Sequence, residues 1–463
     1  MLPARCARAT CSVVALSLVM GTSADALRLD RNENLRRSLA TSVVARLAGI
    51  LLQVLSLPLA AAALGTDGFS AYSMLGAVLA WLSLSNLGIG QATTLHMARE
   101  ADPQRRVTVF LTSWVIVLAV SMGVFVLSVI PLFLTPIANL LFSNVFQDVT
   151  QLQGALLFVC LVFLITQSLS VFESAQLAFQ QQHFFNKSVT VGTLISAILV
   201  LITSRYYPTV LNVLLAVHLP VLFFRLLNAK RVWIELRPSP NDFSRITKQE
   251  TQPIICDGLR FLSGATISNF LCHPLPILII GILTTSLFTA SFSAVMNAVI
   301  LGSAVFGMLI SPFRGALPEA ARSGDGRWVW RMYGWSLAGS LCYALFPLLI
   351  FTLFGQRLFQ IWYQGSIAPE RPILIGAGIY MMCLAIEVVN YNFLASLGQL
   401  ARASRWMIAK SILTALAVWG IARLGQPVMT FYVLCFVNVI FSLIPLSVMI
   451  VKLYGGTKEA LNA

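Results

Sequence analysis

Four ionisable side chains lie inside apolar stretches of the chain and form two matched pairs. Arg46 and Arg260 each lie in the first long apolar segment of one half of the chain, and Glu173 and Glu387 each lie in the fourth. A charge at the bilayer centre costs roughly 2.5–3.5 kcal/mol on insertion scales, so such residues usually face a water-filled cavity. The pattern predicts a polar chamber between two similar helical bundles, which is typical of a transporter.

Each arginine belongs to a polar stripe with helical spacing. The two stripes are Ser42, Arg46, Gly49 and Gln53 in the first half, and Asp257, Arg260, Gly264 and Ser268 in the second. A guanidinium offers a fixed fork of donors that suits phosphate oxygens. We therefore expect Arg46 and Arg260 to bind a diphosphate head group, with the other polar members lining the cavity. The alternatives are that Arg46 snorkels to the interface and that Asp257 only pairs with Arg260 one turn along.

Each glutamate lies on a polar helix face. The two faces are Thr166, Ser170, Glu173, Gln176 and Gln180 in the first half, and Tyr380, Cys383, Glu387, Asn390 and Tyr391 in the second. A carboxyl group in a semi-dry cavity can exchange a proton as the cavity opens to either side of the membrane. Glu173 and Glu387 are thus candidate proton-coupling residues. The alternative is that each glutamate is hydrogen-bonded between helices and serves packing alone.

A pair of prolines interrupts the seventh apolar segment. Pro274 and Pro276 follow His273 near its middle, and each proline removes a backbone hydrogen bond and bends the helix. A broken helix at membrane depth is tolerated only against protein or a wet cavity. The pair is either a functional hinge or a static kink.

Catalytic and cofactor motifs are absent from the sequence. The chain contains no GxSxG, Walker, HExxH or dinucleotide-binding motif, so neither an enzyme activity nor ATP hydrolysis is indicated. No CxxC occurs among the eight cysteines, and the four histidines share no ligand spacing. No metal or other cofactor is therefore expected.

The composition indicates the elements that must hold these residues. Hydrophobic residues make up 58% of the 463 positions and charged residues only 10%, against about 25% charged in soluble domains. We predict an all-α polytopic membrane protein of twelve transmembrane helices, each about 20 residues long. The predicted spans lie near 38–64, 70–98, 107–134, 152–180, 184–204, 208–229, 253–283, 286–313, 332–355, 372–396, 404–424 and 428–451.

The net charge of +14 is explained by the predicted membrane topology and does not indicate that the protein binds nucleic acid. With the amino terminus in the cytoplasm, the inner segments hold most of the basic residues, Lys187, Arg245 and Lys410 among them. The outer loops hold only Arg205, Arg357, Arg371 and Arg423. This distribution obeys the positive-inside rule. It predicts that both termini are cytoplasmic, and basic groups also attract anionic lipid heads.

The chain divides into two similar halves. We predict a first lobe at 36–229, a cytoplasmic linker at 230–252, a second lobe at 253–455 and a tail at 456–463. Repeats that run in the same direction should be related by a pseudo-two-fold axis along the membrane normal. Residues 1–35 resemble a signal peptide or reflect a misplaced start. Mass spectrometry of the mature amino terminus decides this, because a new terminus at Leu27 would contradict a misplaced start.

Residues 36–100 resemble the opening hairpin of the polysaccharide transporter family, the lipid-linked O-antigen and exopolysaccharide flippases of the multidrug/oligosaccharidyl-lipid/polysaccharide exporter superfamily. The resemblance rests on Leu64-Gly65, Phe69 with Tyr72, Leu87-Gly88-Ile89-Gly90 and Ala98-Arg99-Glu100, and on 394–406. It implies two six-helix lobes that rock around a central cavity in a bacterial inner membrane. It also implies an undecaprenyl-diphosphate-linked glycan as substrate, flipped from the inner to the outer leaflet.

Two other functions stay open. One is a cation-coupled multidrug exporter of the same superfamily, although two arginines beside two glutamates do not favour cationic drugs. The other is a non-transporting membrane subunit that organises polysaccharide synthesis. Under the flippase hypothesis, a polysaccharide polymerase and glycosyltransferases are the expected protein partners.

Overall fold

The computed structural model describes residues 6–134, 137–146, 149–262, 264–310, 317 and 325–462. Of these, only the backbone is described for 6–36, 39, 149–151, 260, 261, 264, 265, 308–310 and 454–462. The described part of the chain folds into helices and contains no strand. The protein is a multi-pass membrane bundle.

The helices of the first half are α1 (Cys6–Leu82), α2 (Ile89–Arg99), α3 (Pro103–Leu134), α4 (Ile137–Phe142), α5 (Val149–Ala178), α6 (Gln182–Tyr206) and α7 (Val210–Leu236). The linker holds α8 (Pro240–Phe243). The helices of the second half are α9 (Lys248–Phe261), α10 (Gly264–Cys272), α11 (Pro274–Leu283), α12 (Ser286–Ile310), α13 (Gly326–Leu353), α14 (Gly355–Trp362), α15 (Arg371–Ser396), α16 (Leu400–Arg423), α17 (Thr430–Asn438) and α18 (Ile444–Asn462).

Eleven helical runs of the described residues are long and apolar enough to cross a membrane. The first run, Ala40–Arg99, has 60 residues, which at 1.5 Å per residue extends about 90 Å. The hydrocarbon core of a bilayer is only about 30 Å thick. Gly65 interrupts this run with a non-helical backbone, φ 68° and ψ −175°. The run therefore supplies two spans, which brings the spans of the described residues to the twelve that were predicted.

Six spans form each lobe. In the first lobe α6 packs against α1 and α7, and α5 against α3 and α7; in the second, α13 packs against α15, and α10 against α16. We define the linker face by residues 100–102, 179–181, 237–247 and 397–399, which connect spans at one end of the bundle. The opposite face carries 65–68, 207–209, 284–285 and 354–370. The sixth span extends to Leu236, so the helix continues into the segment predicted as linker.

The hydrophobic cores differ between the two faces. Towards the opposite face a single core joins the lobes, and it contains Phe69 and Met74 with Phe292 and Tyr363. Towards the linker face each lobe has its own core, built around Phe110 and Phe172 in the first and around Leu394 and Leu446 in the second. The hydrophobic cores of the two lobes are therefore joined at the opposite face and separate at the linker face.

Three hydrogen bonds tie the lobes together at the opposite face. Trp362 Nε1 donates to the Val54 carbonyl at 3.0 Å, and Asn144 Nδ2 donates to the Ile282 carbonyl at 2.5 Å. Ser70 Oγ donates to the Ser286 carbonyl at 2.7 Å. Trp362 reaches from the second lobe to the first and Asn144 reaches in the other direction, so the lobes exchange contacts reciprocally.

The seventh span is divided between the lobes. Its first helix, α9, packs against α2 and α3, and Ile254 is buried in the linker-face core of the first lobe. The following helix, α10, packs against α16 of the second lobe. The chain leaves the helical conformation at Leu262, φ −66° and ψ 73°, and a second break occurs at His273. The prolines account for the second break only.

A carboxylate of the linker contacts the first lobe. Asp242, in α8, accepts hydrogen bonds from the backbone N–H and the hydroxyl of Ser239, both at 2.8 Å, and from Gln104 Nε2 at 3.2 Å. The Ser239 N–H, which stabilises the ionised form, is the main reason that the pKa of Asp242 lies below its usual range. The linker thus docks on the start of α3 through a charged group.

Candidate functional site: a charged pair in each lobe

The first lobe contains an ion pair between Glu173 on α5 and Arg225 on α7. Arg225 Nε donates to Glu173 Oε1 at 2.7 Å, and an Nη nitrogen donates to the same oxygen. No residue in the described ranges donates to Glu173 Oε2. The two side chains are 21% and 16% exposed. The pair therefore leaves one carboxylate oxygen available to water or to a proton.

A polar cavity of about 240 Å³ borders Glu173. Residues of the second, fourth and fifth spans line it: Asn86, Gly90, Gln91, Thr94, Ser170, Glu173, Ser174, Leu177, Gln182 and Phe185. The Asn86 Oδ1 atom is buried without a hydrogen-bond partner. Such an atom costs free energy unless a water or ligand pairs with it. The cavity therefore has the chemistry of a hydrated site rather than of a packed core.

The hydroxyl groups of this cavity present oxygen lone pairs to it. Thr94 Oγ1 donates to the Ser174 carbonyl at 3.1 Å, and Ser174 Oγ donates to the Ser170 carbonyl at 3.0 Å. Ser170 Oγ donates to the Gln167 carbonyl at 2.7 Å. Since a hydroxyl has a single proton to donate, these groups can only accept from a ligand. With Glu173 Oε2 and Asn86 Oδ1, they make the cavity rich in acceptors.

A bend in the second span shapes the cavity wall. A 3₁₀ turn at Ser83–Asn86 interrupts the helix, and Leu87 and Gly88 follow with φ 51° and 71°. A Cβ at Gly88 would lie 2.2 Å from the Gly258 carbonyl oxygen on α9. Glycine is therefore required there both by the positive φ and by the close approach of α9. The bend places Asn86 at the cavity.

A second hydrogen-bonded pair fixes α5 against α7 next to the ion pair. Gln176 and Asn228 lie three residues beyond Glu173 and Arg225 on their helices. Each amide donates to the other at 2.9 Å, and both side chains are buried. These reciprocal bonds hold the two helices in register, so the Glu173 carboxylate and the Arg225 guanidinium stay aligned.

The pair of the second lobe is sealed. Lys410 Nζ on α16 donates to both Glu387 oxygens, at 2.7 and 2.8 Å, and Asn438 Nδ2 also donates to Oε2. The side chains of Lys410 and Glu387 are only 2% and 6% exposed. A π-helical turn at Val439–Leu443 directly follows Asn438. Both oxygens of Glu387 are thus occupied by protein donors, in contrast to those of Glu173.

The two lobes place their glutamates at equivalent positions but supply the cation from different helices. Glu173 and Glu387 are 214 residues apart, as are Arg46 and Arg260. Glu173 pairs with the sixth span of its lobe, through Arg225. Glu387 also contacts the last span of its lobe, through Asn438, but the cation with which it pairs, Lys410, lies on the eleventh span. At the position 214 residues before Lys410 the fifth span has Ser196, which donates to the Val217 carbonyl.

Part of the first arginine stripe faces open space. Arg46 and Gln53 are exposed, and no other atom would meet a Cβ at Gly49 within 4 Å. Ser42 instead accepts from Asn186 Nδ2 of α6 at 2.8 Å, which holds the first span against the fifth. Among the described residues no ion pair involves Arg46.

The residues of the second arginine stripe contact different parts of the protein. The Arg260 side chain lies outside the described residues. Asp257 Oδ2 lies 3.1 Å from His96 Nε2 of the second span, which joins α9 to the first lobe. Ser268 is buried, and its hydroxyl lies 3.6 Å from Cys272 Sγ. Pro274 and Pro276 begin α11 after the break at His273.

Two charged residues of the spans were missed by the sequence analysis. Arg225 lies inside the run 208–229 and is a membrane charge by the same criterion as Glu173. Lys410 was counted with the basic residues of the inner loops, which is wrong, because it is buried in α16 as the partner of Glu387. This could have been predicted, because Lys410 lies inside the predicted span 404–424. The described residues contain no group of three or more His, Cys, Asp or Glu suited to a metal ion.

The fold is similar to those of solved membrane transporters and of a solved flippase. The chain is similar to a multidrug resistance MATE family transporter in an inward-facing conformation, with a TM-score of 0.66 and 13% identity over 88% of this chain and 96% of that one. It is similar to the lipid II flippase MurJ in an inward closed conformation, with a TM-score of 0.68 and 10% identity over 90% and 87% of the two chains. The sequence matches no protein-family model and no curated protein.

An outward-facing MATE family transporter gives a TM-score of 0.56, at 12% identity over 92% of this chain and 96% of that one. This is lower than the value for the inward-facing structure. The similar structures are transporters and a flippase rather than enzymes, in agreement with the sequence prediction.

Proposed function

We propose that the chain flips an undecaprenyl-diphosphate-linked oligosaccharide, an O-antigen or exopolysaccharide repeat unit, across a bacterial inner membrane by alternating access. The observation that carries the proposal is the arrangement of the lobes, which are joined at the opposite face and have separate cores at the linker face. With the linker face in the cytoplasm, a head group enters between the lobes from the side on which it is synthesised. Both termini are cytoplasmic in this orientation.

Arg46 is the proposed contact for the diphosphate. It is exposed on the first span beside the open space at Gly49, and no described carboxylate neutralises it. A free guanidinium can donate to two phosphate oxygens at once. Arg260 is the proposed second contact, by its equivalent position in the repeat. Membrane lipids surround the bundle, and a polysaccharide polymerase and glycosyltransferases are the proposed protein partners.

Glu173, rather than Glu387, is the proposed proton-coupling residue. Its Oε2 accepts from no donor among the described residues and lies beside a polar cavity, whereas both oxygens of Glu387 are held by Lys410 and Asn438. A proton on Glu173 would weaken the pairing with Arg225 and so loosen α5 from α7. Glu387 with Lys410 has a structural role, which holds the tenth, eleventh and twelfth spans together.

Complementation of a flippase-deficient strain tests the proposal. The wild-type chain should restore surface polysaccharide, Arg46→Ala should reduce it strongly, and Glu173→Gln should abolish its dependence on the proton gradient. The matched controls are Arg205→Ala and Glu235→Gln, which alter exposed charges near the ends of spans. Failure of the wild-type chain, or full activity of both Arg46→Ala and Glu173→Gln, would contradict the proposal.

A cation exporter is the second candidate, because the acceptors around Glu173 suit a cationic or hydroxyl-rich ligand. This function predicts proton-driven efflux of a dye such as ethidium that depends on Glu173 but not on Arg46. Ethidium uptake into everted vesicles of Arg46→Ala separates the two functions: unimpaired uptake by this variant supports the exporter, and absence of uptake by the wild type excludes it.

A further inference from the structure

An apolar groove lies on the first lobe between α3 and α7. Both helices pack against α5, which forms its floor. Its volume is about 450 Å³. Residues from all three helices line it: Trp114, Leu118, Leu164, Ile165, Ser168, Leu169, Phe172, Leu226, Ala229, Lys230 and Trp233. The groove is separate from the cavity at Glu173.

The walls of the groove carry almost no free polar group. Ser168 Oγ donates to the Leu164 carbonyl at 2.8 Å and is thereby satisfied within its own helix. The remaining lining is aliphatic and aromatic, apart from Lys230 and the indole N–H groups. Such a surface is suited to a hydrocarbon chain, and the neighbouring exposed residues Phe223 and Leu226 place it on the lipid-facing side of the bundle.

Aromatic rings close one end of the groove. Trp114 and Trp233 meet edge to face, with ring centroids 5.7 Å apart, and Phe172 packs against Trp114 at 6.3 Å. Tryptophan prefers the level of the lipid head groups, and Trp233 lies in the last turn of α7. The closed end therefore marks the membrane interface at the linker face, and the groove extends from it towards the bilayer centre.

Lys230 provides the one charge of this lining. It is exposed and lies within the last two turns of α7. No described carboxylate pairs with it. A lysine at the head-group level attracts anionic lipids, so an apolar groove that ends beside this ammonium group complements a lipid with both a hydrocarbon chain and an anionic phosphate.

We propose that this groove is a binding site for an anionic phospholipid, with one acyl chain between α3 and α7 and its phosphate beside Lys230. The proposal does not depend on the transported substrate, because the groove lies outside the cavity at Glu173. A bound lipid fills the space between α3 and α7 and fixes their spacing against α5, the helix that carries Glu173.

Native mass spectrometry of the delipidated protein tests the site, with equal amounts of phosphatidylglycerol and phosphatidylethanolamine of the same chain length. The wild type should retain one phosphatidylglycerol under activation that removes other lipids. Lys230→Gln should lower the preference for phosphatidylglycerol about fivefold, the contribution of one lysine near an anionic head group. Lys187→Gln, an exposed basic residue outside the groove, should leave the preference unchanged.

A second variant tests the chain-binding part of the groove. Leu118→Trp should fill it and abolish lipid retention, while Leu127→Trp, at a position 72% exposed on the same helix, should not. Phosphatidylglycerol with a photoreactive acyl chain should label peptides from α3, α5 and α7. Equal retention of the two lipids by the wild type, labelling elsewhere, or retention unchanged in Leu118→Trp would each overturn the proposal.

Discussion

The indole N–H of Trp362 donates to the carbonyl of Val54, which a proline in the first span has left without its helical partner. In an α-helix the N–H of residue i bonds to the carbonyl of residue i−4, and Pro58 has no N–H to offer Val54. Trp362, from the second lobe, satisfies that carbonyl at 3.0 Å. A break in the hydrogen bonding of one lobe is thus the docking point of the other.

Replacement of Trp362 by phenylalanine should favour opening of the opposite face. The variant keeps an aromatic ring but loses the donor, so closure should weaken by about 1 kcal/mol, the net contribution of one hydrogen bond. That corresponds to roughly a fivefold shift in the equilibrium. Distances between spin labels on Asp67→Cys and Arg371→Cys measure it. Trp335→Phe, at a position 69% exposed, is the control. Equal distance distributions in the wild type and in both variants would contradict a role of the Trp362–Val54 hydrogen bond in closure.

Glu387→Gln should destabilise the protein strongly. It leaves the Lys410 ammonium buried without a counter-charge, which typically costs about 3–5 kcal/mol. Thermal unfolding in detergent measures the loss. Removal of the second charge as well, in Glu387→Gln with Lys410→Met, should recover much of the stability, because no buried ion then remains unpaired. A single variant as stable as the wild type would show that the sealed pair has no structural role.

Glu173→Gln should cost less stability than Glu387→Gln. Arg225 keeps partial access to water, since its side chain is 16% exposed and that of Glu173 is 21% exposed, so its charge stays partly solvated. The comparison uses the same thermal unfolding experiment. A loss equal to that of Glu387→Gln would mean that the first pair is as closed to water as the second.

Gly88→Ala should separate α9 from the second span. Alanine is strained at φ 71°, by about 1–3 kcal/mol, and its Cβ would meet backbone atoms of α9. Lower thermal stability and a changed maleimide reactivity of Cys256, which is exposed on α9, are the expected results. Gly76→Ala on the same span meets no atom within 4 Å and should behave as the wild type.

Asp242→Ala should release the linker from the first lobe. Trypsin should then cleave after Arg245 and Lys248 faster at neutral pH, while Asp67→Ala should leave cleavage unchanged. Because the pKa of Asp242 is lowered in the folded state, its contribution is complete above the unfolded value of about 3.9 and is lost as the pH falls through the folded value. Protection of the wild-type linker should therefore persist at pH 5–8. Equal cleavage of Asp242→Ala and wild type would contradict this anchoring.

The sequence predicts the spans well because hydropathy and length are local properties. The interruption at Gly65 falls between the first two predicted spans, 38–64 and 70–98, and the apolar runs match the helices. The choice between the two glutamates could not be made from the sequence. Arg225 is 52 residues from Glu173 and Lys410 is 23 residues from Glu387, so both pairings depend on which helices pack together.

The division of the seventh span was also hidden from the sequence. Its prolines at 274 and 276 predict a break near His273, and the helix does end there. The earlier break at Leu262, where α9 leaves for the first lobe, has no proline and no composition shift. It depends on the approach of Gly258 to Gly88, which is a tertiary contact and leaves no mark on local propensity.

The position of α9 has a consequence for synthesis on the ribosome. The core of the first lobe at the linker face includes Ile254, a residue that is translated only after all six spans of that lobe and the whole linker. Although domains generally fold as units from the amino terminus, this lobe remains incomplete until the second half of the chain has begun to emerge. Its final packing is therefore linked to the insertion of the next lobe, and a nascent chain arrested before residue 248 would hold an unfilled apolar surface at its linker face.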